Sequence, residues 1–307
     1  MQIVSLNPAF TDILCALDDG SKLRGVTHLC VPSGKECNPA VVTSAKKSAA
    51  PNSDVETLLA GLSSLPIDWV GLDRVRPSCV VTTVVAENSE EFTLWAQEYL
   101  TKVWAHPVRI FSLEIVTLEG LFDAYATLGA ILGHGALGRD RAQRMKSQLL
   151  DWGRNLYERL RNKRVVVVSA VSPLQVAGCW IPDIVKLVSG RAFMPDLRKI
   201  SAPALWDDVV AYAPDVVLVA PYGKSLEESV RTLHTLEDLP GWDSLPAVKR
   251  GEVVFSDGVR LYRTGSVLLE GAGVLVSAIA GLDSGYITKR DEFYRLRFVE
   301  LHRHRFM

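Results

Sequence analysis

Ala213-Pro214-Asp215-Val216-Val217-Leu218-Val219-Ala220 is the stretch on which the fold turns. A short, unbroken apolar run bounded by turn residues reads as a strand buried on both faces. Proline cannot continue a helix, so Pro214 marks where the preceding helical segment stops. The same order stands earlier in the chain, where Arg76-Pro77 leads into Cys79-Val80-Val81-Thr82-Thr83. A second pair of segments also corresponds. Ile3–Leu6 runs into Asn7-Pro8 and a helix, and Val165–Ala170 runs into Ser172-Pro173, a loop and a helix at Pro182. The two halves share little identity but one order of elements, which predicts two related α/β lobes.

Working outward, strands are expected at Gln2–Leu6, Arg24–Thr27, Cys79–Thr83, Val108–Phe111, Val165–Ala170, Val216–Ala220 and Val253–Ser256. Helical patterns lie between them, for example at Phe10–Leu17, Phe92–Tyr99, Ile181–Val188 and Leu226–Leu233. Alternation of this kind implies mainly parallel sheets with helices on both faces. Thr117 has the character of an N-cap, and Leu121, Tyr125, Leu128 and Leu132 follow at helical spacing. The pattern breaks at Gly133–Gly138 and resumes through Met145, Leu149, Trp152 and Leu156. The expected layout is an N-terminal lobe over 1–116, a bridging helix over 117–161, a C-terminal lobe over 162–283 and a basic tail over 284–307.

Composition limits the functions available. The 307 residues carry 34 basic and 35 acidic side chains, for a formal charge of −1. That balance argues against nucleic acid or an anionic membrane surface as a bulk electrostatic partner. Val267 to Leu282 is the longest late apolar stretch, but Glu270 interrupts it and it falls short of a bilayer span. The chain starts directly in a strand pattern, and its five cysteines form no disulfide framework. As written, the chain is expected in the cytoplasm; a trimmed chain would instead be periplasmic or extracytoplasmic. The tail mixes basic and aromatic residues, with Phe293, Leu296 and Val299 at roughly helical spacing, and reads as a surface helix.

Few motifs carry chemistry. Gly133-His134-Gly135-Ala136-Leu137-Gly138 matches G-x-G-x-x-G, but a helix rather than a strand precedes it, so a helix–helix turn is expected. His28, Cys30 and Cys37 could gather as soft metal ligands, although loop residues of these types usually bind nothing, and no metal site is assigned. Asn7, His28, Thr82, Thr83, Tyr222 and Lys224 all follow strands toward their carboxyl ends, where α/β proteins place ligands. The set offers hydrogen-bond donors and aromatic faces but no carboxylate–histidine pair for acid–base work. It therefore suits a binding site better than a hydrolase, and no catalytic residue is assigned. Trp180, in Gly178-Cys179-Trp180-Ile181-Pro182, is either a core residue or the flat wall of a pocket.

At these residues the sequence resembles the cobalamin-binding branch of the class III ABC-transporter substrate-binding proteins, the vitamin B12 and iron-siderophore type. The resemblance spans about residues 2–283. It rests on Ile3–Asp12, Leu23–Cys30, Ser112-Leu113-Glu114, Thr117-Leu118-Glu119, Ala177–Asp183, Trp206–Pro221 and Leu239–Val248. It implies two Rossmann-like lobes bridged by a long helix, closing slightly on a ligand held between them. Carried over by position, the implied ligand-binding residues are Asn7, Pro8, Ala9, His28, Thr83, Trp180, Tyr222, Gly223 and Tyr262. The implied ligand is cobalamin or a related corrinoid, with a siderophore, haem or metal chelate as the alternative and no resident cofactor. The implied protein partner of this non-enzymatic, monomeric binder is an ABC-transporter permease, met by Asp207 and Asp208 in the second lobe. In the first lobe the matching position is Val70, with Asp68 and Asp73 nearby. Several pocket segments differ from the family's pattern, among them Val84–Asn88, Ser169-Ala170, Pro221-Tyr222-Gly223-Lys224 and Tyr262-Arg263-Thr264-Gly265. A reading of another class makes the chain a cytoplasmic enzyme with His28, Cys30 and Lys224 as reactive groups, or a regulatory protein reusing the cleft.

Overall fold

Valine-rich segments too short for a stable helix form the strands of a computed structural model that describes residues 1–18, 20–30, 38–46, 50–193, 199–282 and 293–296. The chain forms two compact units. The first comprises Met1–Glu114, Asp123–Arg141 and Thr264–Ser266; the second comprises the remainder.

Unit 1 is built on β1 (Ile3–Ser5), β2 (Leu23–Val26), β3 (Ala40–Val41), β4 (Cys79–Thr82) and β5 (Arg109–Ser112). They form one parallel sheet in the order β3-β2-β1-β4-β5. The chain leaves β1 toward β2 and β3, then returns to place β4 on the other side of β1. The topological switch point therefore lies between β1 and β4. Val4 and Val80 pack with Leu58, Leu62, Leu72, Leu100 and Trp104. Full burial of each such side chain stabilises by about 1.5–3 kcal/mol.

Unit 2 contains β6 (Arg164–Ala170), β7 (Gln175–Ala177), β8 (Arg191–Ala192), β9 (Ser201–Pro203), β10 (Val216–Val219), β11 (Val253–Ser256) and β12 (Phe293–Leu296). The path is β12-β11-β10-β6-β7-β9, with β8 also pairing with β6. β6, β10 and β11 are parallel, whereas β7, β9 and β12 join antiparallel. Here the switch point lies between β6 and β10. Val166, Val168, Val217, Val219 and Phe255 pack against Leu236 and Trp242.

The repeated proline signal has a shared backbone basis. Trp69–Val75 and Trp206–Tyr212 are both seven-residue helices. Each stops on a left-handed residue, Arg76 at φ 44° and Ala213 at φ 50°, followed directly by Pro77 or Pro214. The helical run after Thr117 is two helices, Leu118–Leu132 and Gly135–Asn155. The Thr117 hydroxyl accepts the Gly120 N–H at 3.0 Å, as an N-cap does. The G-x-G-x-x-G segment is the turn between these helices: Gly133 has φ 83°, and a Cβ on Gly138 would lie 2.3 Å from the Tyr125 carbonyl oxygen. Only glycine permits that approach.

The tail corrects one expectation. Phe293–Leu296 forms a strand rather than a helix, in register with Ser256 through Val253. Short segments of aromatic residues fit a sheet edge as well as a helix face, and pairing with β11 satisfies backbone groups that a lone turn leaves open. The rest of the tail, and Cys37, lie outside the described residues.

Candidate ligand-binding site

In unit 1 the polar residues gather at the carboxyl ends of the strands. Asn7 directly precedes the helix Pro8–Asp18, and its Oδ1 accepts the Ala9 N–H at 2.9 Å. Its Nδ2 donates to Thr83 Oγ1 at 3.4 Å, across the switch point between β1 and β4. Thr83 Oγ1 in turn donates to the Leu113 carbonyl at 2.8 Å, tying in β5. Pro8 and Ala9 are half-buried beside this junction.

His28 follows β2 and is exposed. Thr43 Oγ1 accepts its backbone N–H at 2.9 Å and lies 2.8 Å from its Nδ1. A ring nitrogen held in this way fixes the ring's orientation and leaves Nε2 for a ligand. Cys30 Sγ sits 3.1 Å from the hydroxyls of both Thr11 and Thr27. Among the described residues no carboxylate pairs with His28, no histidine lies on Cys30, and no three His, Cys, Asp or Glu side chains gather as a metal ligand set.

In unit 2 the corresponding strand ends are aromatic. The Tyr222 N–H donates to the Ser169 carbonyl at 2.9 Å, across the switch point between β6 and β10. Tyr222 is 47% exposed and packs on Tyr262, with ring centroids 5.3 Å apart at 55°. Tyr262 is buried, and its hydroxyl donates to the Ala220 carbonyl at 3.0 Å. Burial pushes its phenol pKa well up, with a hydrogen bond from Ser169 opposing, so it stays neutral. Gly223, at φ 73°, completes the turn. Lys224 is committed to an ion pair with Glu228 at 2.9 Å, beside the Ser225–Glu228 capping box.

Trp180 begins the helix Trp180–Leu187 and is only 3% exposed. Its indole N–H has no hydrogen-bond partner among the described residues. The structure thus brings Asn7 and Thr83 together in unit 1 and Tyr222 and Tyr262 together in unit 2. It leaves Trp180 in the core of its own unit.

Of the docking acids, Asp207 and Asp208 are exposed in the first turn of Trp206–Tyr212. Val70 holds the equivalent second position of the unit 1 helix and is also exposed. Asp73 is engaged instead: its Oδ1 accepts the Trp104 indole N–H at 2.8 Å and lies 3.6 Å from Arg76 Nε.

Three polar positions, Thr43, Gln175 and Ser201, were not anticipated from sequence. Thr43 orients His28. Ser169 Oγ contacts Ser201 Oγ at 2.6 Å, and Ser201 donates to Gln175 Oε1 at 2.5 Å. The only sequence signal for these was an isolated polar residue in or beside a very short strand.

No family model and no curated protein matches the sequence. Solved structures do. A periplasmic heme-binding protein from Pseudomonas aeruginosa is 18% identical, covers 96% of this chain and 98% of its own, and has a TM-score of 0.65. The periplasmic vitamin B12-binding protein BtuF of Vibrio cholerae is 16% identical over 91% of this chain and 96% of its own, with a TM-score of 0.64. A possible iron-binding, periplasmic solute-binding protein from Staphylococcus epidermidis is 16% identical over 91% and 98%, with a TM-score of 0.65. These likenesses establish the fold. It is the class III periplasmic-binding-protein fold that the sequence resemblance implied.

Proposed function

We propose that this chain is a non-enzymatic small-molecule-binding protein that delivers its ligand to an ABC-transporter permease. The observation that carries the reading is the content of the two switch points. One presents the hydrogen-bonding pair Asn7 and Thr83, and the other the tyrosine pair Tyr222 and Tyr262. Among the described residues neither holds a carboxylate–histidine pair. A corrinoid is flat, large and fringed with amides, so aromatic faces and scattered hydrogen-bonding groups suit it, and cobalamin is the leading ligand. The ligand-binding set is Asn7, Pro8, Ala9, His28, Thr83, Tyr222, Gly223 and Tyr262. Trp180 would support it from the core.

A second reading rests on His28. With Nδ1 held by Thr43, Nε2 is free to ligate the metal of a haem or another chelate. The exposed Asp207 and Asp208 would meet permease arginines, while Val70 leaves the first-lobe contact without its charge. The reading places the protein in the periplasm, as the similar structures are described. It departs there from the cytoplasmic expectation.

Titration of the purified protein with cyanocobalamin and with haemin, followed by absorbance and tryptophan fluorescence, tests the proposal. Saturable one-to-one binding of one of them is expected, weakened by about tenfold or more in Asn7→Ala and Tyr222→Ala. Loss of the haemin absorbance shift in His28→Ala would select the chelate reading. Saturation with neither ligand, or binding unchanged by Asn7→Ala and Tyr222→Ala, overturns the proposed site.

A further inference from the structure

At the amino ends of β6, β10 and β11, opposite the candidate ligand site on the same sheet, unit 2 has a cavity of about 280 Å³. It is lined by Arg161, Asn162, Lys163, Asp215, Arg250 and Glu252. These residues come from the loop before β6, the turn before β10 and the turn before β11.

The two acids do not make this a cation site. Asp215 is filled as an acceptor. Arg164 donates to its Oδ2 from the backbone N–H at 2.9 Å and from Nε at 3.1 Å, and to its Oδ1 from Nη2 at 3.3 Å; Arg250 Nη2 also donates to Oδ1. Arg164 also donates from Nη1 to the Tyr212 carbonyl at 3.1 Å, so its guanidinium is a fixed strut. Asp215 therefore orients Arg250 and neutralises about one charge. Glu252 has a further interaction of its own.

The cations are less committed. Lys163 is half-buried, and its ammonium makes no hydrogen bond or ion pair among the described residues. Arg250 spends one Nη on Asp215, and its other guanidinium donors make no hydrogen bond among the described residues. Arg161 shares one edge with Glu158 at 3.0 Å, an exposed pair of little energetic weight. Three cationic groups from two separate segments thus converge on one concavity with donors to spare. An oxyanion that accepts from several directions answers that arrangement, and arginine's planar fork suits phosphate in particular. The volume lies just under the range typical of drug-sized ligands, which fits a phosphate or diphosphate group.

We infer that this cavity is an anion site for the phosphate group of a soluble molecule, with Lys163, Arg250 and Arg161 as ligands and Asp215 as the positioning residue. The site is independent of the proposed transport ligand. Isothermal titration of the full chain at low ionic strength with inorganic phosphate, and separately with ADP, tests it. Saturable binding of at least one is expected. Tighter binding of ADP would assign a nucleotide rather than the free ion. Lys163→Gln breaks no contact of the fold and should weaken binding several-fold; Lys163→Gln with Arg250→Gln should weaken it by about tenfold or more. A control pair, Lys102→Gln with Arg139→Gln, removes the same charge elsewhere and should leave affinity within about twofold. Absence of saturable heat with both probes overturns the inference. So does unchanged affinity in Lys163→Gln, or an equal loss in the control pair.

Discussion

Asp215 shows how one side chain can carry a local structure. Partial burial works to raise its pKa, but hydrogen bonds from the Arg164 side chain and backbone and from Arg250 outweigh that and hold it at about 2, below its ordinary value of 3.8. A carboxyl depressed on folding stabilises fully above its unfolded pKa and loses that contribution as the pH falls through the folded one. The Asp215 contribution is therefore intact above about pH 4 and gone near pH 2. It is worth about 2 kcal/mol, a ceiling once solvent screening is allowed for. Asp215→Asn should lower the unfolding free energy by that amount at pH 7. The gap to the parent should narrow steadily in urea melts taken between pH 4 and pH 2; a gap independent of pH would contradict this assignment. At the same scale, the residues of the candidate site were unevenly legible. Asn7 and His28 are visible in the sequence because each follows a clear strand. Thr43 is not, because β3 has two residues and shows no alternation. Trp180 left both a core and a pocket role open, and its burial is set by the packing of its helix, which no local pattern reports.

Elements were more legible than their edges. The seven strands expected from β-branched runs all occur, each within one residue or so at either end, because central parallel strands are continuous apolar segments. The strands not foreseen are β3, β7, β8, β9 and β12, each four residues or fewer, four of them paired at the margins of a sheet. β7 turns straight back onto β6, but the others pair with segments more distant in the chain, so local composition says little about them. The turn carrying Tyr222 depends on such a distant neighbour. A Cβ on Gly258 would fall 1.9 Å from the Pro221 carbonyl oxygen, a backbone atom that a side-chain rotation cannot clear. Gly258→Ala should therefore destabilise by about 1–3 kcal/mol and shift the Pro221–Lys224 turn. A lower urea midpoint together with weaker ligand binding is the expected pair of results; wild-type values for both would show that the turn yields freely.

On the scale of the whole molecule, unit 1 is assembled from three separate pieces of chain. The last is Thr264–Ser266. The Thr264 hydroxyl donates to the Ala9 carbonyl at 2.8 Å, and its N–H donates to Asp12 Oδ2 at 3.4 Å. The buried Tyr125 hydroxyl lies 2.8 Å from the Thr264 carbonyl and 2.9 Å from that of Gly265. Tyr125→Phe would leave both buried acceptors short of a donor, a cost of about 1–3 kcal/mol. Equilibrium urea unfolding measures it, and a loss below a few tenths would mean the segment is held by its other contacts alone.

This returning segment also bears on how the protein is made. A ribosome releases residues in order, and domains ordinarily mature from the amino terminus onward. Here the first unit lacks its last three residues until β6 to β11 have already been synthesised. The later-born unit can close its sheet around β6, β10 and β11 while the earlier one still waits for its clamp. A chain cut short before residue 264 would carry every strand of the first sheet and still lack the contacts that Thr264 and Gly265 make with Ala9, Asp12 and Tyr125.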